Sequence, residues 1–74
     1  MANVGTKDIQ IVVNGQVRNV PEGQNLIELL SWLDIVPDRV AVELNREIVR
    51  RPDWDRTIVG PGAALEIVQF VGGG

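Results

Sequence analysis

Residues 9–33 read IQIVVNGQVRNVPEGQNLIELLSWL, and within them the apolar period changes from that of a strand to that of a helix. Ile9, Ile11 and Val13 alternate with Gln10 and Val12, which predicts a strand with one buried face. Asn14-Gly15 accepts the positive φ angles of a type I′ turn. Residues 16–20 should therefore return antiparallel and complete a hairpin.

A helix follows the hairpin. Asn25 can cap it, and Glu28, three residues later, completes a variant of the capping box. One apolar stripe follows at helical spacing, formed by Leu26, Leu29, Leu30 and Leu33. Pro37 disfavours helical geometry in the residue before it, so the helix should end between Asp34 and Pro37.

Three more strands are predicted beyond the helix. They are residues 40–44, 47–49 and 64–71, with turns at Asn45-Arg46 and Gly60-Pro61-Gly62. The last strand is apolar on both faces, so it either lies in the middle of the sheet or leaves an exposed patch. Its Glu66 and Gln69 favour an exposed patch on one face. The order β, β, α, β, β, β predicts an α+β domain: a mixed sheet of four to five strands, with the helix on one face and the other face open to water.

The same pattern predicts which side chains are buried. Trp54 is interpreted as a lid over the edge of the core beside an irregular turn at 52–54, and Trp32 is also interpreted as structural rather than as a binding platform. The predicted core consists of Ile9, Ile11, Val13, Leu26, Leu30, Leu33, Val40, Val42, Leu65 and Ile67.

The length of 74 residues limits the chain to one small domain. We assign residues 9–71 to it. The polar residues 1–8 are expected to be a disordered lead, and residues 72–74 a flexible tail. The sequence has neither the apolar stretch of a signal peptide nor a run of membrane-spanning length, so we expect a cytoplasmic protein without a membrane partner.

The amino-acid composition argues against several classes of function. Cysteine and histidine are absent, which removes thiolate nucleophiles and the usual base that activates a hydroxyl. We therefore expect a protein that is not an autonomous enzyme. Asp34 and Asp38 lack the repeated spacing of a calcium loop, so no metal site is expected. The net charge of −3 disfavours nucleic acid and is compatible with a basic protein partner.

The sequence ends in Gly72, Gly73 and Gly74. Glycine has no Cβ, so such an arm can lie extended in a narrow slot and bring a terminal carboxylate close to a partner's atoms. The alternative for these three residues alone is a frayed terminus or a linker.

Several segments in this order resemble the thiamine-biosynthesis sulfur carrier family, ThiS. They are VNG at 13–15, LL at 29–30, RVAVELN at 39–45 and EIVQFVGGG at 66–74. The resemblance covers residues 9–74. Two turns depart from it, since Arg46 stands where a glycine commonly follows the asparagine and Gly62-Ala63 replaces a common Gly-Asp.

The resemblance implies a ubiquitin-like β-grasp fold and a carrier role without a bound cofactor or a catalytic residue. It implies that an activating enzyme uses ATP to adenylate the Gly74 carboxylate, that a protein persulfide supplies sulfur, and that the resulting thiocarboxylate serves thiazole synthase. Gly72 and Gly73 would form the slim arm. Phe70, Val68 and Val12 would form the docking patch on the open sheet face.

Three alternatives stay open at this point. The small subunit of molybdopterin synthase shares the fold and the tail, but it usually carries prolines shortly before its last two glycines, whereas this sequence has none after Pro61. The others are a ubiquitin-like modifier attached to lysines and an adaptor that binds through its sheet.

Overall fold

Two hairpins, one central strand and one helix make up the fold. A computed structural model describes residues 7–70. The strands are β1 (Asp8–Val13), β2 (Gln16–Pro21), β3 (Val40–Leu44), β4 (Glu47–Val49) and β5 (Ala64–Gln69), and the helix is α1 (Leu26–Trp32). Short 3₁₀ helices span Pro37–Arg39 and Arg51–Arg56.

The five strands form one mixed sheet in the order β2-β1-β5-β3-β4. β5 runs parallel to β1 and antiparallel to β3, and it lies in the middle of the sheet. Val12 of β1 pairs with Ala64, while Val40 of β3 pairs with Gln69 at the other end of β5. This mixed sheet with one main helix is a ubiquitin-like β-grasp, as the sequence resemblance implied.

The local signals at the start of the fold are confirmed. Asn14 and Gly15 have φ angles of 50° and 81°, as a type I′ turn requires. The capping box is complete, because the Glu28 N–H donates to Asn25 Oδ1 at 2.8 Å and the Asn25 N–H donates to Glu28 Oε1 at 2.9 Å. Helix α1 therefore begins where the sequence predicts.

The core lies between α1 and one face of the sheet. It contains nine of the ten predicted residues; the tenth, Leu33, caps the C-terminus of α1 and is only partly buried. The other core residues, which the prediction omitted, are Val20, Leu29, Trp54, Val59 and Ala63.

Trp54 corrects the prediction of a lid beside an irregular turn. It lies in the 3₁₀ helix Arg51–Arg56, is 2% exposed, and its Nε1–H donates to the Val49 carbonyl at 2.8 Å. The segment after this helix also contacts α1, since the Leu26 N–H donates to the Thr57 carbonyl at 3.0 Å. Trp54 is thus a central core residue, whereas Trp32 is 56% exposed.

The ends of the domain differ slightly from the predicted boundaries. The fold begins before Ile9, because Asp8 pairs with Pro21 and the Glu22 N–H donates to the Lys7 carbonyl at 2.7 Å. Strand β5 ends at Gln69 instead of residue 71. The rest of the predicted lead, residues 1–6, and the predicted tail, Gly72 to Gly74, lie outside the described residues.

Two further findings concern residues 7–70. No helix there is long and apolar enough to cross a membrane. No group of three or more His, Cys, Asp or Glu side chains in that range is placed to hold a metal ion.

Candidate docking surface

The sheet face opposite α1 carries the residues proposed for docking. Because side chains alternate along a strand, the neighbours of the buried Leu65 and Ile67 point away from the core. Val68 is accordingly 56% exposed, and Phe70 is 57% exposed. This exposed apolar pair lies at the end of the central strand.

Phe70 continues the β5 ladder beyond the last strand residue. Its N–H donates to the Arg39 carbonyl at 2.7 Å, so the backbone is still paired with the segment that leads into β3. The hydrogen-bonded sheet therefore continues to the last described residue. In the sequence, the glycines predicted to form the arm, Gly72 to Gly74, come two to four residues after Phe70.

Cross-strand neighbours extend the apolar pair. Ala41 lies directly opposite Val68, and Ile48 of β4 lies opposite Glu43 and is 73% exposed. Ala41, Ile48 and Val68 line one shallow pocket together with Glu43 and Glu66. Sequence analysis missed Ala41 and Ile48, because only the pairing of β3 with β4 and β5 brings them beside Val68.

Glu43 and Glu66 face each other across β3 and β5 within this surface. The Phe70–Arg39 bond fixes the alternation of the ladder, so Glu43 and Glu66 form a hydrogen-bonded pair with their side chains on the same face. Within residues 7–70 the ion pairs are Arg51–Asp38 and Arg56–Asp53, so neither glutamate has a basic partner. We call Ala41, Glu43, Ile48, Glu66, Val68 and Phe70 the open-face patch.

Val12 lies apart from Val68 and Phe70. It is half-buried, pairs with Val17 of β2 and lies beside Ala64 at the start of β5. Val68 is four residues further along β5, which corresponds to about 13 Å at the rise of a strand. The structure therefore groups Val12 with Val17, which is 63% exposed, and not with the open-face patch.

Asn14 supports the opposite edge of β5. Its Oδ1 accepts the Ile67 N–H at 2.7 Å, and its Nδ2 donates to the Ile67 carbonyl at 3.2 Å. The Asn14 N–H also donates to the Leu65 carbonyl at 2.8 Å. The Asn14 side chain thus makes the hydrogen bonds to Ile67 that a further residue of β1 would make if that strand continued past Val13.

Comparison with known proteins identifies the family to which the chain belongs. The ThiS family model matches residues 11–74. The chain belongs to the ThiS family. The match includes every residue of the open-face patch and the closing glycines, and it confirms the resemblance found in the sequence.

Relatives of this ThiS-family chain support the assignment. The sulfur carrier protein ThiS of Escherichia coli is 35% identical over 66 residues, which cover 89% of this chain and 100% of that protein. A thiazole synthase of Paramagnetospirillum magneticum is 39% identical over 66 residues, 89% of this chain. The chain spans only 20% of the length of that synthase and of the one from Magnetococcus marinus.

A solved structure agrees with the fold. The crystal structure of the thiamine biosynthesis protein ThiS from Geobacter metallireducens superposes with a TM-score of 0.78 at 40% sequence identity. The match covers 89% of this chain and 100% of that one. The β-grasp architecture is therefore shared with a ThiS protein along nearly the whole chain.

Proposed function

We propose that this ThiS-family chain is a sulfur carrier protein of thiamine biosynthesis that carries sulfur as a thiocarboxylate on Gly74. The observation that carries the proposal is the family match through residue 74, which includes the closing glycines. The full-length similarity to the Escherichia coli sulfur carrier protein ThiS supports it.

The chemistry requires outside enzymes. A carboxylate is an anion at neutral pH and a poor electrophile until it carries a good leaving group. We therefore propose that an activating enzyme joins the Gly74 carboxylate to AMP with release of pyrophosphate from ATP. The outer sulfur of a protein persulfide then attacks the acyl adenylate and displaces AMP. A thiol reductant cleaves the S–S bond of the resulting acyl disulfide, which leaves the thiocarboxylate on Gly74 and the donor sulfur in a disulfide with the reductant. The chain itself is a substrate and not an enzyme, in keeping with a sequence that has no cysteine and no histidine.

Thiazole synthase is the proposed acceptor of the sulfur. Two relatives named thiazole synthase contain a segment similar to this chain. A carrier that delivers sulfur for thiazole formation must reach such an enzyme with its arm extended, and Gly72 and Gly73 would allow this because they have no side chains. The cytoplasmic location stays a prediction.

The open-face patch is the proposed contact surface for these partners. Val68, Phe70 and Ile48 offer exposed apolar area. Glu43 and Glu66, which have no basic partner among the described residues, add negative charge. We infer that a matching partner surface is apolar with a basic side chain facing the two glutamates. Val12 would be contacted only by a partner that also reaches the Val17 end of the sheet.

A pair of variants separates the two ends of this face. Phe70→Asp places a charge within the open-face patch. Val17→Asp places a charge on the distant edge strand β2, beside Val12 of β1. We expect Phe70→Asp to weaken binding to the activating enzyme at least about tenfold, or roughly 1.4 kcal/mol, in isothermal titration. Val17→Asp should bind like the unmodified chain. The reverse order would move the contact surface to Val12 and Val17.

Intact mass spectrometry tests the carrier function itself. The chain is incubated with the activating enzyme of its source organism, ATP, a persulfide donor and a thiol reductant, and we expect one oxygen at Gly74 to be replaced by sulfur. Omitting ATP is the control. A terminus that stays unmodified under these conditions, although the same enzyme adenylates another carrier protein used as a positive control, would favour a sheet-binding adaptor. An isopeptide bond to a lysine would indicate a modifier.

A further inference from the structure

Within residues 7–70, the backbone edge of strand β5 that faces β1 is free at Gln69. On the β3 side, the N–H and carbonyl groups of the even-numbered residues are paired, as the bonds at Ala64 and Phe70 show. The odd-numbered residues therefore point their N–H and carbonyl groups toward β1. Leu65 and Ile67 both use them in hydrogen bonds on that side.

Gln69 is the next residue with this orientation. Strand β1 has already ended at Val13, and the Asn14 amide reaches only as far as Ile67. Among the described residues, no group pairs with the Gln69 N–H or carbonyl on this edge. One donor and one acceptor are thus displayed beside the exposed Phe70.

This edge differs from the other edges of the sheet. The outer edge of β2 ends in Pro21, which has no N–H, and β4 is only three residues long. Both features discourage the addition of a strand at those edges. The edge at Gln69 has no such protection. The Asn14 amide closes the edge directly before it, so an added strand has only one starting position.

We propose that the activating enzyme adds an extended main-chain segment to the outer edge of β5 at Gln69, with Asn14 as the stop that fixes its register. This inference rests on the proposed function for the identity of the partner. Backbone pairing here would hold the chain immediately before its terminal arm and would depend little on side-chain identity. A fixed register would set how far Gly74 extends into the partner.

Gln69→Pro tests the added strand. Proline removes the Gln69 N–H and places its ring on the outer edge, but it removes no hydrogen bond to β3, because the Gln69 N–H points the other way. Gln69→Ala is the matched control, since it keeps the N–H and removes only the side chain. Binding to the activating enzyme of the source organism is measured by titration without ATP.

We expect Gln69→Pro to raise the Kd at least about tenfold and Gln69→Ala to leave it within about twofold, with both variants melting close to the unmodified chain. Equal affinity of a folded Gln69→Pro variant would overturn the proposal, and so would a chain that does not bind this enzyme. Tight binding without any adenylation when ATP is added would instead contradict the proposed function and leave the edge contact in place.

Amide hydrogen exchange provides a second measurement that needs no variant. In the free chain the Gln69 amide should exchange rapidly while the Ile67 amide is protected by Asn14. Addition of the enzyme should protect Gln69. A Gln69 amide that exchanges equally fast in the complex would show that no strand is added there.

Discussion

At the scale of single residues, two turn asparagines form hydrogen bonds to the central strand β5. Asn14 and Asn45 both have positive φ angles, of 50° and 51°. Each also bonds through its side chain to β5: Asn14 to both backbone groups of Ile67, and Asn45 Oδ1 to the Ala64 N–H at 3.0 Å. Asparagine suits both tasks, because it tolerates the left-handed region and carries an amide.

Arg46 adopts a left-handed backbone conformation that is unfavourable for a residue with a side chain. It has a φ of 72°, a value that favours glycine, in the turn between β3 and β4. We predict that Arg46→Gly raises the free energy of unfolding by about 1 kcal/mol relative to Arg46→Ala, because relief of the strain exceeds the extra entropy of an unfolded glycine. Urea denaturation of the two variants checks this.

The alanine variant is the control because it removes the arginine side chain without relieving the backbone. If both variants unfold at the same urea concentration, the turn is not strained at Arg46. The prediction concerns stability only, and thiocarboxylate formation on the glycine variant should be unchanged.

At the scale of elements, the sequence correctly predicts the features that depend on residues close together in the chain. The Asn14-Gly15 turn and the capping box of Asn25 and Glu28 each involve residues at most three apart, and both are confirmed. The prediction of Trp54 as a lid over the edge of the core was wrong, because it assumed an irregular turn at residues 52–54. The 3₁₀ helix instead turns this side chain inward.

Leu30 tests the packing of α1 on the sheet. It is fully buried, so Leu30→Ala should lower the free energy of unfolding by about 2–5 kcal/mol through lost contacts and a cavity. Ile27→Ala on the same helix is the control, because Ile27 is 41% exposed and its loss should cost much less. Thermal melts of both variants measure the difference. Equal melting temperatures would contradict the packing described for α1.

The facing pair Glu43 and Glu66 tests the strand register. Like charges directly opposite destabilise a sheet, so Glu66→Lys should stabilise the chain by roughly 0.2–1 kcal/mol. Glu47→Lys is the matched control, because it changes the net charge equally while Glu47 lies opposite Leu44. Denaturation at low salt measures both. A Glu66→Lys variant that is no more stable than Glu47→Lys would argue against the repulsion.

At the scale of the whole molecule, the fold was more predictable than the candidate site. Element order and the apolar face of each strand follow from local periodicity. The composition of the open-face patch depends on pairing between segments far apart in the chain, and Asn14 and Ile67 are separated by 53 positions. The sequence identified Val68 and Phe70, but it could not show that Glu43 faces Glu66 or that Val12 lies near the other end of β5.

Removal of Gly74 separates folding from function. The described core lies within residues 9–67, so the shortened chain should melt at the same temperature as the full one. It should lose ATP–pyrophosphate exchange with the activating enzyme, because the proposed acceptor carboxylate is displaced by one residue. Substituting Gly5 by Ala at the other end of the chain is the control. Exchange that persists at an undiminished rate would contradict the role of Gly74.

The two tryptophans lie in opposite environments, Trp54 enclosed and Trp32 largely in water. With no tyrosine in the sequence, ultraviolet emission comes almost wholly from these two indoles. Unfolding should therefore shift the fluorescence of Trp54 to longer wavelength and leave that of Trp32 nearly constant. Trp32→Phe would leave a single optical probe at the centre of the domain, with which its folding can be followed without any label.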